Sequence, residues 1–535
     1  MRSTSLLLSG LLTLLAFVPS EAADDAVFQL KARSQQPAKL PFGPGHRSVV
    51  KPLQWKAERT AVIVCDMWDL HHCLNATRRG AEMAPRMNNL LKLARRQGAT
   101  IIHAPSSCMN TYKDHPARQR AQAVPMSKNL PDEIGEWCYK IPSEEKGVYP
   151  LDQTDGGEDD DLDEHRDWAK KLEKMGRNPR APWKSQTATL EIDGKRDYIT
   201  DNGKEVWSIL ENQKISNVIM VGVHTNMCVL GRPFGLRQMS RNGKNVVLVR
   251  DMTDTMYNPK RWPFVSHFQG TDLIIEHIEK YVCPTVTSDQ LLGGKPFVFK
   301  NDNRPRAVFL VAEKIYNTRA TLPVLAKRLF EQRLGFQTTV LTAADGVHEI
   351  KGMAEAVKQA DLVVVSVRRR ALPKADLDAL RAHLAAGKPL IGLRTASHAF
   401  DARGKGPRGH AEWADFDARV LGGNYHNHHP SGPVTTVTAH KINHPILSGL
   451  PASFPSNGSL YMTSPLAKGT TALLTGAIPG KKPEPIAWTN HHGKSRVFYT
   501  SLGHEDDFKQ PAFWQLMENA VRWTSGMRNA VAARP

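Results

Sequence analysis

Residues 217–229 read NVIMVGVHTNMCV, and this stretch decides the fold of the first half of the chain. Its opening seven residues are a short, β-branched-rich run, of the kind that fits a fully buried parallel strand. The run passes through a Gly-containing turn to Cys228, after which Val229, Leu236 and Met239 carry the spacing of a helix over 228–239. Cys228 is thereby predicted at a helix N-terminus, where unpaired amides and the positive end of the helix dipole favour a thiolate. Two readings of Cys228 follow, a nucleophile and a small buried hydrophobe.

Outward from this stretch, strand and helix patterns alternate. Strands are predicted at 60–65, 100–103, 188–192, 218–221 and 246–249, the signature of an α/β domain with a parallel sheet. Ligands in such sheets bind at the carboxyl ends of strands, so Asp66 and Cys228, which both follow strand ends, are site candidates. Taken alone, Asp66 also reads as a helix cap or turn residue.

The pieces VIVCDMW (62–68), VGVHTNMCV (221–229) and NVVLVRDMTD (245–254) resemble the isochorismatase-like cysteine hydrolases, which include nicotinamidases and N-carbamoylsarcosine amidohydrolase; the similarity covers residues 55–285. The resemblance implies an Asp, Lys and Cys triad with Asp66 and Cys228 as its outer members. Its lysine falls on Lys195, 33 positions before Cys228 and just after the predicted third strand. Lys184 is the alternative, at the longer spacing of nicotinamidases but within the polar, Pro-rich NPRAPWKSQ. The implied chemistry is acyl transfer: Asp66 takes the thiol proton, Lys195 holds the carboxylate and Cys228 attacks a carbonyl to give a thioester-like intermediate. Backbone amides of His224 and Cys228 would hold the oxyanion, and a cis peptide is implied between Val223 and His224. A homo-oligomer is also an expectation of the resemblance.

The metal motif of nicotinamidases is not matched. The corresponding HAPSSCMNTYKDHPAR (103–118) has Asp114 and His115 adjacent, and His71, His72 and His103 share no ligand spacing. No cofactor is expected. Between the second and third strands lies an insertion at about 126–186 with the acidic run GGEDDDLDEH (156–165), read as solvated surface rather than a calcium site. Its aromatic residues Trp137, Tyr139, Trp168 and Trp183 suit a folded lid over the thiol.

The 535 residues suffice for two or three domains, and 41% hydrophobic with 23% charged residues is an ordinary globular balance. The net charge of +18 is spread along the chain, with residues 368–370 (three arginines) its one tight cluster, and no nucleic-acid motif accompanies it. Residues 1–22 read as a signal peptide, with Arg2, an apolar core and a small-residue site ending at Ala22, so a periplasmic or secreted product is expected. No other stretch is apolar enough for a membrane span. All six cysteines lie at or before residue 283, within the first predicted domain; export permits at most two disulfides if Cys228 stays free.

Residues 284–305 read as a linker, and a second α/β series begins at Arg306, of flavodoxin-like or glutamine-amidotransferase-like pattern. KPLIGLRTASH (388–398) ends a strand at the turn where amidotransferases place a cysteine, yet no cysteine follows Cys283. Thr395 or Ser397 could stand there only with an aligned base. The pieces LGGNYHNHHP (421–430), NHPILSGLP (443–451), EPIAWTNHHGKSRVFYTSLGH (484–504) and FWQLMENAVRW (513–523) resemble the trehalose-utilisation (ThuA-like) domain over residues 306–527, with Arg394 where relatives often carry His. The resemblance implies a sugar-related ligand. His426 and His428 alternate along one extended face and His504 follows a predicted strand, a set suited to a metal or to acid and base work, or else simply bonded in loops. Trp488, Tyr461 and Trp413 could stack on a sugar or pack.

The expected architecture is therefore two three-layer α/β/α domains with mainly parallel sheets: a signal peptide at 1–22, a lead-in at 23–54, domains at 55–285 and 306–527, a linker at 286–305 and a tail at 528–535. The expected function is an exported hydrolase whose Cys228 cleaves a small amide, imide or carbamoyl-type C–N bond, with a second-domain ligand site at Thr395, His426, His428, Trp488 and His504. The alternative is a non-catalytic carbohydrate-binding protein on a decayed hydrolase scaffold. Neither nucleic acid nor a membrane is an expected partner.

Overall fold

The computed structural model describes residues 26–40 and 43–527, so the signal-peptide and tail expectations lie outside the described residues. The chain divides into two compact units, residues 26–34, 49–258 and 274–299 in the first, and the remaining described residues, chiefly 300–527, in the second.

The strands of the first sheet are β1 (Val27–Leu40), β2 (Gly43–Lys56), β3 (Thr60–Cys65), β4 (Thr100–Ala104), β5 (Tyr198–Ile199), β6 (Asn217–Val223), β7 (Asn245–Asp254) and β8 (Thr285–Val286). They lie in the order β2-β1-β8-β7-β6-β3-β4-β5. From β8 to β5 every pairing is parallel, and β1 joins β8 antiparallel. On one face Val62, Val64, Ile219, Val221, Val247 and Val249 pack against the helix Leu74–Arg96. Their alternate neighbours Ala61, Ile63, Val218 and Met220 are equally buried, which is why β3 and β6 read as unbroken apolar runs.

Three local expectations are corrected. Residues 188–192 are not a strand: Leu190 closes a turn onto the Thr187 carbonyl and the Glu191 amide is held by Asn88, while the sheet edge is supplied by β5 instead. The predicted helix over 228–239 is broken at Pro233, which lacks an N–H to continue it; the Gly235 amide turns onto the Arg232 carbonyl, and a new helix starts at Leu236. Thr285 and Val286, inside the stretch read as a linker, form β8.

The second sheet holds β9 (Arg306–Ala312), β10 (Gln337–Thr342), β11 (Leu362–Val367), β13 (Leu390–Leu393), β16 (Thr435–Ala439), β17 (Ser453–Ser456), β19 (Thr471–Ala477), β20 (Glu484–His492) and β21 (Ser495–Thr500). The intervening numbers belong to two short pairs, β12 (Leu372–Pro373) with β14 (His410–Ala411), and β15 (Asn427–His428) with β18 (Tyr461–Met462). Strand order is β10-β9-β11-β13-β21-β20-β19-β16-β17. Its first five strands are parallel and the rest antiparallel. One core lies between Phe309, Val364 and Ile391 and the helix Pro511–Thr524; a second lies on the opposite face, between Leu310, Val363 and Val365 and the helix Lys374–Ala385.

Candidate active site

The carboxyl ends of β3 and β6 bring Asp66 and Cys228 together. After β3 the backbone of Asp66 enters the left-handed region (φ 46°), a conformation that Asp tolerates better than most residues. This turn aims its carboxylate inward, fully buried, where Oδ1 accepts the Ser106 amide at 2.7 Å. The end of β6 needs Gly222, at φ 116°, because a Cβ there would meet the Cys65 carbonyl oxygen at 2.0 Å. The Val223–His224 peptide is cis. A helical turn over Thr225–Val229 follows, closed by the Val229 amide on the His224 carbonyl. Thr225 and Thr253 share a 2.7 Å hydroxyl contact, and Asn226 exchanges two hydrogen bonds with the Met256 backbone, so the turn is fixed to the loop after β7.

Cys228 lies within this turn, not at its start, and is 7% exposed. Its sulfur meets the Asp66 carboxylate and the His224 amide. The expectation of a thiolate favoured by the helix dipole is corrected here: burial, then the neighbouring Asp66, push the thiol well up, opposed by Arg232 and the His224 amide. Burial raises Asp66 as well, while Arg232, Cys228 and Ser106 draw it back. Proton affinities of acid and thiol are therefore raised together, as suits a proton passed between them.

The cation on Asp66 is not a lysine. Arg232 donates from Nε to Asp66 Oδ2 at 3.0 Å, and its own side chain keeps 24% exposure. Lys195 is exposed at a surface turn, where its backbone amide bonds Asp193; Lys184 is exposed and its Nζ reaches the Gly176 carbonyl at 3.4 Å. Neither bonds Asp66. The sequence signal that could have found Arg232 is its position four residues after Cys228, on the same face of one helical turn.

The insertion covers this helical turn. Tyr149 donates its hydroxyl to the Asn226 carbonyl at 2.8 Å, the Cys138 amide bonds the Gly231 carbonyl, and the Trp137 ring lies 5.1 Å from the Arg232 guanidinium. Trp68 and Trp183 stack at 4.7 Å, with the His71 and His224 rings beside them. The acidic run is solvated surface only in part: Asp161, Asp163 and Glu164 are exposed, whereas the two residues before them are engaged by the protein. The side chains of Asp159 and Asp160 are 8% and 2% exposed, engaged by Arg79 and by the Leu74 and Asn75 amides that begin the helix after Cys73. With Cys73 they form the one group of three potential metal ligands among the described residues, already satisfied by these protein partners. His103 is buried between Gln186 and Asp197, a structural role. All six cysteines are free, so no disulfide forms among them.

In the second unit the expected ligand residues separate. Trp488 is fully buried, its Nε1 donating to the Leu421 carbonyl and its ring against Tyr499, which leaves no face for a sugar. Thr395 is fully buried and its hydroxyl has no partner. His426 is exposed with Nδ1 on the carbonyl of Asn424. His428 and His504 meet different rings of one tyrosine pair: His428 lies against Tyr461 and His504 against Tyr316, whose hydroxyls are 3.2 Å apart. Between these tyrosines sits Arg394, 1% exposed, with its guanidinium 3.9 Å from the Tyr316 ring centre and hydrogen bonds to the Ser459 and Ser501 carbonyls. The buried arginine occupies the strand-end turn; the Thr395 hydroxyl has no base beside it, and Ser397 Oγ lies 3.3 Å from the Arg394 carbonyl oxygen and 3.1 Å from His398 Nδ1.

Residues 306–524 match the ThuA family, described as trehalose utilisation. A ThuA-like protein from Bacteroides uniformis is 19% identical over 43% of this chain and 95% of its own, with a TM-score of 0.34. A cysteine hydrolase from Pseudomonas syringae pv. phaseolicola is 16% identical over 44% of this chain and 93% of its own (TM-score 0.26), and an isochorismatase family protein from Burkholderia thailandensis is 13% identical over 44% and 94% (TM-score 0.24). No curated protein sequence matches the chain. Among the described residues no helix is long and apolar enough to cross a membrane.

Proposed function

We propose that the first unit is a cysteine hydrolase of the isochorismatase-like kind, acting on a small amide, imide or carbamoyl-type C–N bond, and that the ThuA domain holds a sugar-related ligand. The observation that carries the hydrolase reading is the meeting of Cys228, Asp66 and Arg232 at the carboxyl ends of two adjacent parallel strands. The thiol proton passes to the Asp66 carboxylate as the sulfur attacks the carbonyl carbon. Asp66 then returns the proton to the leaving nitrogen, and water, deprotonated by Asp66, cleaves the thioester. Arg232 takes the part expected of the family's lysine, favouring the ionised form of Asp66 and negative charge on sulfur against the effect of burial. The amides of His224 and Cys228 are the oxyanion donors of this reading. The leader at 1–22 would export the chain, and a homo-oligomer remains part of the proposal.

The test is the pH profile of Cys228 alkylation by iodoacetamide, located by mass spectrometry, in the wild type, Asp66→Asn and Arg232→Gln. A working nucleophile labels at Cys228 with a profile that each substitution displaces, and slows about tenfold or more in Arg232→Gln, where the sulfur loses a nearby cation. A thiol inert in all three proteins would instead favour a non-catalytic carbohydrate-binding protein, the reading to which the buried, upward-shifted thiol lends weight.

A further inference from the structure

The arginine cluster at 368–370 has no part in the chemistry above, yet the fold places it at the carboxyl end of β11, beside the turn that follows β13. The Arg369 and Arg370 amides bond the His398 and Ala399 carbonyls at 2.9 and 2.7 Å, which ties this segment to the strand-end turn. The Arg369 guanidinium bonds Asp401, and the Arg403 amide bonds the same carboxylate. Arg369 and Arg403 both hold left-handed backbone, at φ 52° and 56°, an uncommon conformation for residues without a short polar side chain. The charges of Arg368, Arg369 and Arg403 all bear on the His398 imidazole and on the Tyr425 phenol, whose rings stack 4.4 Å apart.

Several polar groups converge here without protein partners. Among the described residues, the Arg368 and Arg403 guanidinium groups meet no carboxylate, and Asp401 is committed to Arg369. The Tyr425 hydroxyl makes no hydrogen bond, and His398, only 7% exposed, is bonded through Nδ1 alone, to Ser397 Oγ at 3.1 Å. His398 Nε2 is left without a protein partner among the described residues, a donor or an acceptor according to the tautomer. Burial and the arginines press His398 down to about 2, so it stays neutral at any working pH. A nearly buried imidazole nitrogen, a phenol and two guanidinium groups without carboxylates, half-buried Arg368 and exposed Arg403, suit a polar, negatively charged occupant.

We propose that the sugar-related ligand of the second unit carries a phosphate or carboxylate, held by Arg368 and Arg403, while His398 Nε2 and the Tyr425 hydroxyl bind its hydroxyl groups. The sugar part rests on the reading of the ThuA domain given above; the anionic part rests on the arginines alone. The experiment is titration calorimetry of the whole protein with glucose, glucose 6-phosphate, glucuronate and inorganic phosphate. The variants are Arg368→Ala/Arg403→Ala, Tyr425→Phe, and a control, Arg419→Ala, whose exposed guanidinium pairs with Asp415. Glucose 6-phosphate or glucuronate should bind at least about tenfold more tightly than glucose, weaken with added salt, lose about tenfold or more in the double variant and in Tyr425→Phe, and be unchanged in the control. Glucose binding as tightly as its anionic relatives would overturn the inference and leave the sugar reading standing. Phosphate binding as tightly as glucose 6-phosphate, through the same arginines, would support the anion site and remove the sugar reading. No binding by any probe, or binding indifferent to the double variant, would overturn the inference.

Discussion

Asp417 begins the helical turn Asp417–Leu421, and its Oδ2 accepts the Tyr425 amide at 2.7 Å. Its Oδ1 is buried without a partner, and burial pushes the carboxyl up to about 7. An unfolded chain would titrate it near 3.9, and each tenfold change in proton affinity is worth about 1.4 kcal/mol, so ionisation costs the folded state roughly 4 kcal/mol. Since the folded value lies above the unfolded one, protonation favours the fold. The contribution is intact below about pH 4, declines by about 1.4 kcal/mol per pH unit, and is gone above about pH 7. Asp417→Asn keeps the acceptor for Tyr425 and cannot ionise; its NH2 group takes the unpartnered place at a pH-independent cost of about 1–3 kcal/mol. Hydrogen exchange of peptides from 417–425 and from β20 and β21, compared at each pH from 5 to 8, isolates the difference between the two proteins. The wild type should lose about 2–3 kcal/mol of protection relative to the variant across that range. Parallel curves would refute the reasoning, because they would mean that Asp417 is already ionised and solvated in the fold.

Two further perturbations address the first unit. Glu144 bonds both Arg237 and His277 and is held down to about 2, against burial, by these partners. Its folded value lies below the unfolded one, so its stabilisation is present above about pH 4.5 and fades as the pH falls towards 2; Glu144→Gln should cost about 3–5 kcal/mol in urea unfolding at pH 7, with the gap closing in acid. An equal gap at pH 3 and pH 7 would discount the ion pair. In Gly231→Ala the new methyl would meet Trp137 Nε1 at 2.5 Å and displace that ring from Arg232, at a stability cost of about 1–3 kcal/mol. Cys228 should then alkylate several-fold faster, and a rate within about twofold of wild type would show that Trp137 does not shield the thiol.

The sequence by itself determined the elements whose signal is local. Residues 217–223 and 60–65 are strands because both their faces are buried, which leaves no polar position to interrupt the apolar run. The parallel strands β9, β11 and β13 of the second unit were legible for the same reason, while β10 is a half-exposed edge strand read from its β-branched residues; Asp66 and Cys228 were likewise legible at strand ends. What the sequence obscured depended on residues far apart in the chain. Residues 188–192 have the composition of a strand, but Asn88 claims the Glu191 amide, and the edge position goes to β5. Within the acidic run Asp161, Asp163 and Glu164 are solvated as read, but Asp159 and Asp160 are taken up by Arg79 and the start of the helix after Cys73. In the antiparallel half of the second sheet, apart from β21, β16 and β17 are only five and four residues long and β19 and β20 carry no strict alternation, so the pairing emerges only from register across β16, β19 and β20. The cation on Asp66 could not be chosen by counting back from Cys228 to a lysine, because a helical turn brings Arg232 within 3.0 Å of Asp66 while the chain carries Lys195 to the surface. Spacing along a chain fixes which residues share a turn or a strand face; which charges neutralise one another when water is excluded is decided by the packing of the whole unit.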